Sequence, residues 1–80
     1  MANFENLPAI FAALADPTRL AIVRRLSGGD ATVKELAAYH AMALPSFLRH
    51  IRVLEAAGLI ESTKQGRVRT CRLTPTNRRR

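Results

Sequence analysis

Residues 44–60 read LPSFLRHIRVLEAAGLI, and the spacing of their apolar side chains decides the fold. Phe47, Ile51 and Leu54 recur at intervals of four and three residues, as expected for the buried stripe of an α-helix. We predict that this helix covers residues 45–57. Since two arginines lie opposite the stripe, the stretch predicts an amphipathic helix with an apolar face and a basic face.

Capping residues and a further apolar stripe predict three helices before this one. A stripe of apolar side chains predicts the first helix over residues 4–15. Asp16, followed by a proline, predicts the start of a second helix that ends before a Gly-Gly pair. Its predicted apolar face consists of Leu20, Val23 and Leu26, with Ile22 beside it. Thr32 and Glu35 can form a capping box, which predicts a short third helix over residues 33–40.

The residues that follow the fourth helix predict a β-hairpin with a Gln-Gly turn. Its strands are expected at residues 59–64 and 67–73, joined by a turn at residues 65–66. The fold class is therefore mainly α with a small β-hairpin (α+β), in the order of a winged helix-turn-helix. We expect one such domain over residues 1–74 and a basic, disordered tail over residues 75–80.

The excess of positive charge is confined to the second half of the chain. The formal net charge is +7; residues 1–45 are balanced, whereas residues 46–80 carry nine Lys and Arg against two Glu. Such an asymmetry indicates a polyanionic partner, either nucleic acid or an anionic membrane surface. Neither a secretory signal pattern nor an apolar run near 18 residues is present, so we expect a cytoplasmic protein that does not enter the membrane.

The titratable residues give no support for catalysis or metal binding. Cys71 is the single cysteine, so neither an intrachain disulfide nor a Cys-rich zinc site can form, and we expect it in the core. His40 is expected to be a half-buried structural residue. No recognisable catalytic triad, glycine-rich phosphate loop, HExxH or CxxC motif occurs. We therefore expect a protein that is not an enzyme and binds no cofactor or metal.

The basic helix and the hairpin together predict a surface for duplex DNA. A protruding helix with a basic face fits the major groove of B-form DNA, and a basic hairpin can follow the backbone or enter the minor groove. The candidate DNA-contacting residues are Ser46, Arg49 and Arg52 on the helix, and Lys64, Arg67 and Arg69 within the hairpin segment 64–72.

Other interpretations of these residues stay open. Arg49 and Arg52 could be ordinary solvated charges, and Ser46 could merely satisfy backbone N–H groups near the start of the helix. The basic surface could instead bind an acidic protein partner or a structured RNA.

Four segments together resemble the ArsR-type family of winged-helix transcriptional regulators. The resemblance implies a sequence-specific DNA-binding homodimer, usually a repressor released by a metal or another signal. It also implies that the helix of residues 45–57 reads the major groove and that the hairpin is the wing. The segments are LADPTRL at 14–20, VKELA at 33–37, LPSFLRHIRVLEAAGLI at 44–60, and Gly66-Arg67.

The resemblance adds two candidate DNA-contacting residues and shows several departures. Leu48 matches a DNA-facing position where a small polar residue is common, and His50 matches a position at or near DNA. The family's thiolate metal site would fall on the helix matching residues 33–40, where this sequence has Leu36-Ala37-Ala38 and no cysteine. Ala43 stands where a capping serine is common, which should weaken the helix start by about 1 kcal/mol.

The first helix is the candidate for dimerisation. In the family, a helix after the wing helps to form the dimer interface, and this chain reaches Arg80 without a counterpart. The resemblance therefore implies a homodimer weakened by its absence. The candidate interface residues are Leu7, Ile10, Phe11 and Leu14.

Overall fold

A computed structural model describes residues 6–75 as helices packed on a three-stranded antiparallel sheet. The strand order in the sheet is β1-β3-β2. This architecture confirms the predicted class of helices with a small sheet. The elements are α1 (Leu7–Leu14), α2 (Pro17–Leu26), β1 (Ala31–Thr32), α3 (Val33–Ala37), α4 (Leu44–Ala56), β2 (Ile60–Gln65) and β3 (Val68–Leu73).

The helix ends differ from the predicted ones by one to three residues. Helix α1 begins at Leu7, and the first two residues of its predicted range lie outside the described residues. Helix α3 ends at Ala37 and not at residue 40, because the chain turns there to start α4. Helix α4 begins at Leu44, which makes Pro45 its second residue. The predicted basic tail of residues 75–80 lies almost wholly outside the described residues.

The turn of the hairpin lies one residue later than predicted. Gln65 pairs with Val68, so Gly66 and Arg67 form the two-residue loop. Gly66 has a φ of 62°, a left-handed conformation that glycine adopts without a Cβ clash. The requirement for this conformation places the glycine inside the loop. From here on, the wing denotes β2, β3 and this loop.

Strand β1 was not predicted from the sequence. Ala31 and Thr32 pair with Cys71 and Thr70 of β3, which ties the start of α3 to the wing. A strand of two residues carries no alternation of its own, and its partner lies about forty residues away along the chain. Only the packed fold brings them together.

The core is built mainly of small aliphatic side chains around Phe47. Phe47, Ile51 and Leu54 are at most 2% exposed, which confirms the predicted stripe on α4. Cys71 is fully buried, as expected. On α2 the sequence pattern placed Leu20 on the core face, whereas the structure buries Ile22 and leaves Leu20 39% exposed. Helix α2 is therefore rotated from the predicted orientation.

The predicted helix caps are present. The carboxylate of Asp16 accepts a hydrogen bond from the backbone N–H of Arg19 at 3.0 Å. The Thr32 hydroxyl accepts from the Glu35 N–H at 3.0 Å, and the Glu35 carboxylate accepts from the Thr32 N–H at 2.8 Å. These bonds to the charged form lower the pKa of both carboxyl groups. Ala43 provides no side-chain cap to α4.

Candidate nucleic-acid interface

The outer face of α4 presents side chains that the domain itself does not use. Ser46, Arg49 and Arg52 are exposed, on the side of the helix away from the buried stripe. Helix α4 has 13 residues, so it forms a rod of about 20 Å. Arg49 and Arg52 take part in none of the side-chain hydrogen bonds or ion pairs found among residues 6–75. Their guanidinium groups are available to a partner.

The predicted wing residues divide into two kinds. Lys64 and Arg67 are exposed near the loop and have no ion-pair partner among the described residues. Arg69 is half-buried and donates a hydrogen bond to Ser62 Oγ at 2.8 Å. The Ser62 hydroxyl donates in turn to the carboxylate of Glu55 on α4. Ser62 therefore links the wing to α4, and Arg69 donates to Ser62 from the neighbouring strand.

His50 lies on the flank of α4 that faces α2. Its Nδ1 atom lies 3.1 Å from a guanidinium nitrogen of Arg19 and 3.8 Å from the carboxylate of Asp16. The Arg19 side chain also donates to the carbonyl oxygens of Ala13 and Ala12, at 2.7 and 3.3 Å, at the end of α1. One arginine thus joins α1, α2 and α4, and the structure places His50 in this network and away from the exposed arginines.

An open apolar groove lies along the opposite flank of α4, between α3 and the wing. Its volume is about 730 Å³. Leu44, which is 53% exposed, and Leu48 line it from α4. Among the described residues, its lining has no acidic side chain and four cationic ones, Lys34, Lys64, Arg67 and Arg69.

Sequence reasoning missed the groove residues Leu44 and Lys34. The signal for Leu44 was present, because it precedes Leu48 by four residues and so shares its side of the helix. Sequence reasoning also missed Arg19, whose bonding depends on the angle between helices and has no local pattern.

The predicted dimerisation residues lie together on α1 but are covered to different degrees. Phe11 is 66% exposed, whereas Leu7, Ile10 and Leu14 are half-buried. The one fully buried residue of α1 is Ala13. The helix therefore buries a small residue completely, covers three aliphatic side chains in part, and leaves a large aromatic side chain mostly in solvent.

The described residues show neither a metal-binding cluster nor a membrane-spanning helix. No group of three or more His, Cys, Asp or Glu within residues 6–75 could hold a metal ion. Residues 36–38 of the α3 region are Leu, Ala and Ala, none of which can ligate a metal. Within the same range, every helix is too short or too polar to cross a bilayer.

Comparison with known proteins identifies related sequences. The model of a family described as "Helix-turn-helix domain" matches residues 14–63. The HTH-type transcriptional regulator Rv2034 of Mycobacterium tuberculosis is 37% identical over 76 residues, which cover 95% of this chain and 71% of the relative. The transcriptional repressor SdpR of Bacillus subtilis is 35% identical over 57 residues, which cover 71% of this chain and 63% of the relative.

Solved structures with the same fold include regulators of one family. A crystal structure of an ArsR family transcriptional regulator has a TM-score of 0.85 and 61% identity, covering 86% of this chain and 76% of that one. The solution structure of a homodimeric winged helix-turn-helix DNA-binding domain from Mycobacterium bovis has a TM-score of 0.81 and 25% identity. That match covers 90% of this chain and 67% of the other.

Proposed function

Because this chain belongs to the ArsR-type family of winged helix-turn-helix transcriptional regulators, we propose that it represses transcription by binding duplex DNA through α4 and the wing. The observation that carries the proposal is the outer face of α4. There Arg49 and Arg52 are exposed and unpaired within residues 6–75, opposite a stripe that is almost fully buried. The relative SdpR is itself named as a repressor.

Helix α4 has the shape and chemistry to read the major groove. That groove is about 12 Å wide and admits a single helix. Arg49 can form two hydrogen bonds with the O6 and N7 atoms of guanine, or bind a phosphate. Ser46 lies in the first turn of α4, where the backbone N–H groups and the helix dipole favour an anionic partner. The helix therefore supplies the base contacts.

The wing supplies contacts to the DNA backbone. Arg67 lies in the loop of the wing, and Lys64 lies two residues before the loop; both side chains are exposed. A basic loop beside a helix in the major groove can follow the sugar-phosphate backbone toward the neighbouring minor groove. These cations contribute affinity and register, while α4 contributes sequence discrimination. Ser62 holds the wing at the required angle through its hydrogen bond to Glu55, and Arg69 donates to Ser62 from the neighbouring strand.

The DNA-binding unit is a homodimer that pairs through α1. A phenylalanine 66% exposed on a helix that also carries Leu7, Ile10 and Leu14 provides an apolar surface for a second copy. The related domain from Mycobacterium bovis is homodimeric. Two copies would place two α4 helices on half-sites about one helical turn apart. Phe11→Ser should lower the sedimentation mass toward that of a monomer; a wild-type chain that is monomeric at high concentration would contradict the pairing.

Selection from a random pool of duplex DNA tests the function directly. We expect enrichment of a defined sequence whose log K falls with log salt concentration by about 0.9 per phosphate contacted. Arg49→Ala should weaken binding to the selected duplex by about tenfold to one hundredfold. Arg24→Ala is the matched control, since it removes one exposed arginine from α2 and equal charge.

Three outcomes would contradict the proposal. No duplex is enriched; binding is indifferent to salt; or duplex RNA of equal length competes as well as DNA. The last result would point to RNA recognition, because the major groove of A-form RNA does not admit the helix.

A further inference from the structure

Leu44 and Leu48 form an apolar patch at the N-terminal end of α4. They are the first and fifth residues of the helix and lie four residues apart, so their side chains share one flank. Leu44 is 53% exposed, and Leu48 is partly open to the groove between α3, α4 and the wing. Neither side chain belongs to the buried core of the domain. Packing within the domain therefore does not explain why leucines occupy these two positions.

The cationic side chains around this apolar patch favour an anionic partner that also displays an apolar group. Lys34, Lys64 and Arg67 surround the groove, and its lining among the described residues has no acidic side chain. Duplex DNA has this combination, since phosphates run along the edge of the major groove. Within that groove, the C5-methyl of thymine is the apolar feature that distinguishes one base from the others.

Placement along the helix favours base contact. In helix-turn-helix proteins, the N-terminal residues of the recognition helix approach the base edges. A leucine there cannot form hydrogen bonds with the N4 amino group of cytosine or the O6 atom of guanine. When it excludes water, the hydrogen bonds that these groups make into the groove are lost without replacement. Against a thymine methyl, the same leucine gains apolar contact.

We infer that Leu44 and Leu48 recognise thymine in the bound DNA by packing against its C5-methyl group. The inference rests on the proposed function and deepens it, because it assigns a base to a defined part of α4. The start of the helix then recognises a base by apolar contact, and Arg49, the residue after Leu48, recognises a base by hydrogen bonding. The inference predicts one or two thymines per half-site whose methyl groups matter.

The test replaces single thymines of the selected duplex by 2′-deoxyuridine, which removes only the methyl group. Binding of the wild-type chain should weaken about fourfold at one or two positions per half-site, the loss expected for one buried methyl-sized group. The Leu44→Ala, Leu48→Ala double variant should bind the thymine and deoxyuridine duplexes equally. Leu20→Ala is the matched control, since Leu20 is 39% exposed on α2 and does not line the groove.

For each variant, the readout is the dissociation constant of the deoxyuridine duplex divided by that of the thymine duplex. An overall change in affinity or dimerisation affects both constants alike and so does not obscure this ratio. The Leu20→Ala variant should keep the wild-type ratio. Equal binding of every deoxyuridine duplex by the wild-type chain would overturn the inference, as would an unchanged ratio in the double variant. Both results would leave DNA binding itself intact. If no duplex is bound at all, the proposed function fails and the inference fails with it.

Discussion

The two flanks of α4 differ in what holds them. On the flank toward α2, His50 lies against Arg19 and Asp16, and Arg19 also binds the last carbonyl oxygens of α1. On the flank toward the wing, Leu44 and Leu48 line an open groove. The first flank is closed by hydrogen bonds within the domain, whereas the second is open to solvent along its N-terminal half and is bonded to the wing only further on, through Glu55.

This difference separates the positioning of α4 from its use. The closed flank fixes the helix relative to α1 and α2, so that its outer face keeps one direction. The outer face and the N-terminal half of the open flank keep their side chains unpaired for DNA. Changes on the closed flank should therefore affect stability first, and changes on the open side should affect binding first.

The largest expected effect on the closed flank follows from Arg19→Ala. This change leaves the carbonyl oxygen of Ala13 and the ring nitrogen of His50 without the guanidinium group, while the carbonyl oxygen of Ala12 keeps the N–H of Ala15. We expect the free energy of unfolding to fall by about 1–3 kcal/mol. Thermal unfolding would show a drop of about 4–8 °C per kcal/mol for a domain of this size.

Arg25→Ala is the matched control for Arg19→Ala. Arg25 is exposed and donates one hydrogen bond, to the Gly29 carbonyl at 3.1 Å, so its loss should cost little. Equal melting temperatures for the two variants would show that Arg19 does not hold the closed flank. A loss of DNA affinity by Arg19→Ala as large as that of Arg49→Ala, measured well below the unfolding transition, would show that the two flanks are not separate.

A smaller effect is expected from Ser62→Ala, at the junction of α4 and the wing. The Ser62 hydroxyl joins Glu55 of α4 to Arg69 of the wing, so its removal loosens the angle between them. We expect a loss of about 1 kcal/mol in stability. Weaker DNA binding without a change in the preferred sequence should accompany it, because the wing contributes register more than base readout.

Thr63→Ala provides the comparison for Ser62→Ala. The Thr63 hydroxyl accepts a hydrogen bond from Arg72 at 3.1 Å and does not reach α4. Its removal should leave the wing angle and DNA affinity nearly unchanged. Equal losses of affinity from the two substitutions would mean that the link through Ser62 does not position the wing.

The smallest effect concerns pH. The backbone N–H of Arg19 lowers the pKa of Asp16 below its usual value near 4, and the charges of His50 and Arg19 act in the same direction. A carboxyl group whose pKa is lower in the folded state stabilises the fold at neutral pH. That contribution is lost as the pH falls from about 4 through the lowered pKa.

Asp16→Asn keeps a side-chain acceptor for Arg19 and removes the charge. The difference in melting temperature between the wild-type chain and this variant should be largest near pH 7 and should shrink as the pH approaches 3. A constant difference across that range would show that the ionised carboxylate does not contribute.

Several parts of the fold could be predicted because their causes are local. The apolar stripe of Phe47, Ile51 and Leu54 depends only on the helical repeat, and it is buried as predicted. The capping box of Thr32 and Glu35 needs two residues three positions apart, and both of its hydrogen bonds are present.

Other parts could not be predicted because their causes lie far apart in the chain. The pattern of α2 placed Leu20 on the core face with Ile22 beside it, and packing against α4 and β3 buried Ile22 in its place. Strand β1 exists because β3 offers it hydrogen bonds. The sequence alone does not distinguish Arg69 from the other basic residues of the wing. Its hydrogen bond to Ser62 forms only because the fold brings the two side chains together.

The sequence by itself determined which surfaces this protein has: a helix with an apolar stripe and opposed arginines, a basic hairpin, and the supporting helices of a first half whose charges balance. These follow from the helical and strand repeats and from capping chemistry, which act over a few residues. The tertiary structure alone decided which of the cationic side chains are used within the domain and which remain for a partner. That decision depends on distances between helices and strands, and no local pattern encodes such distances.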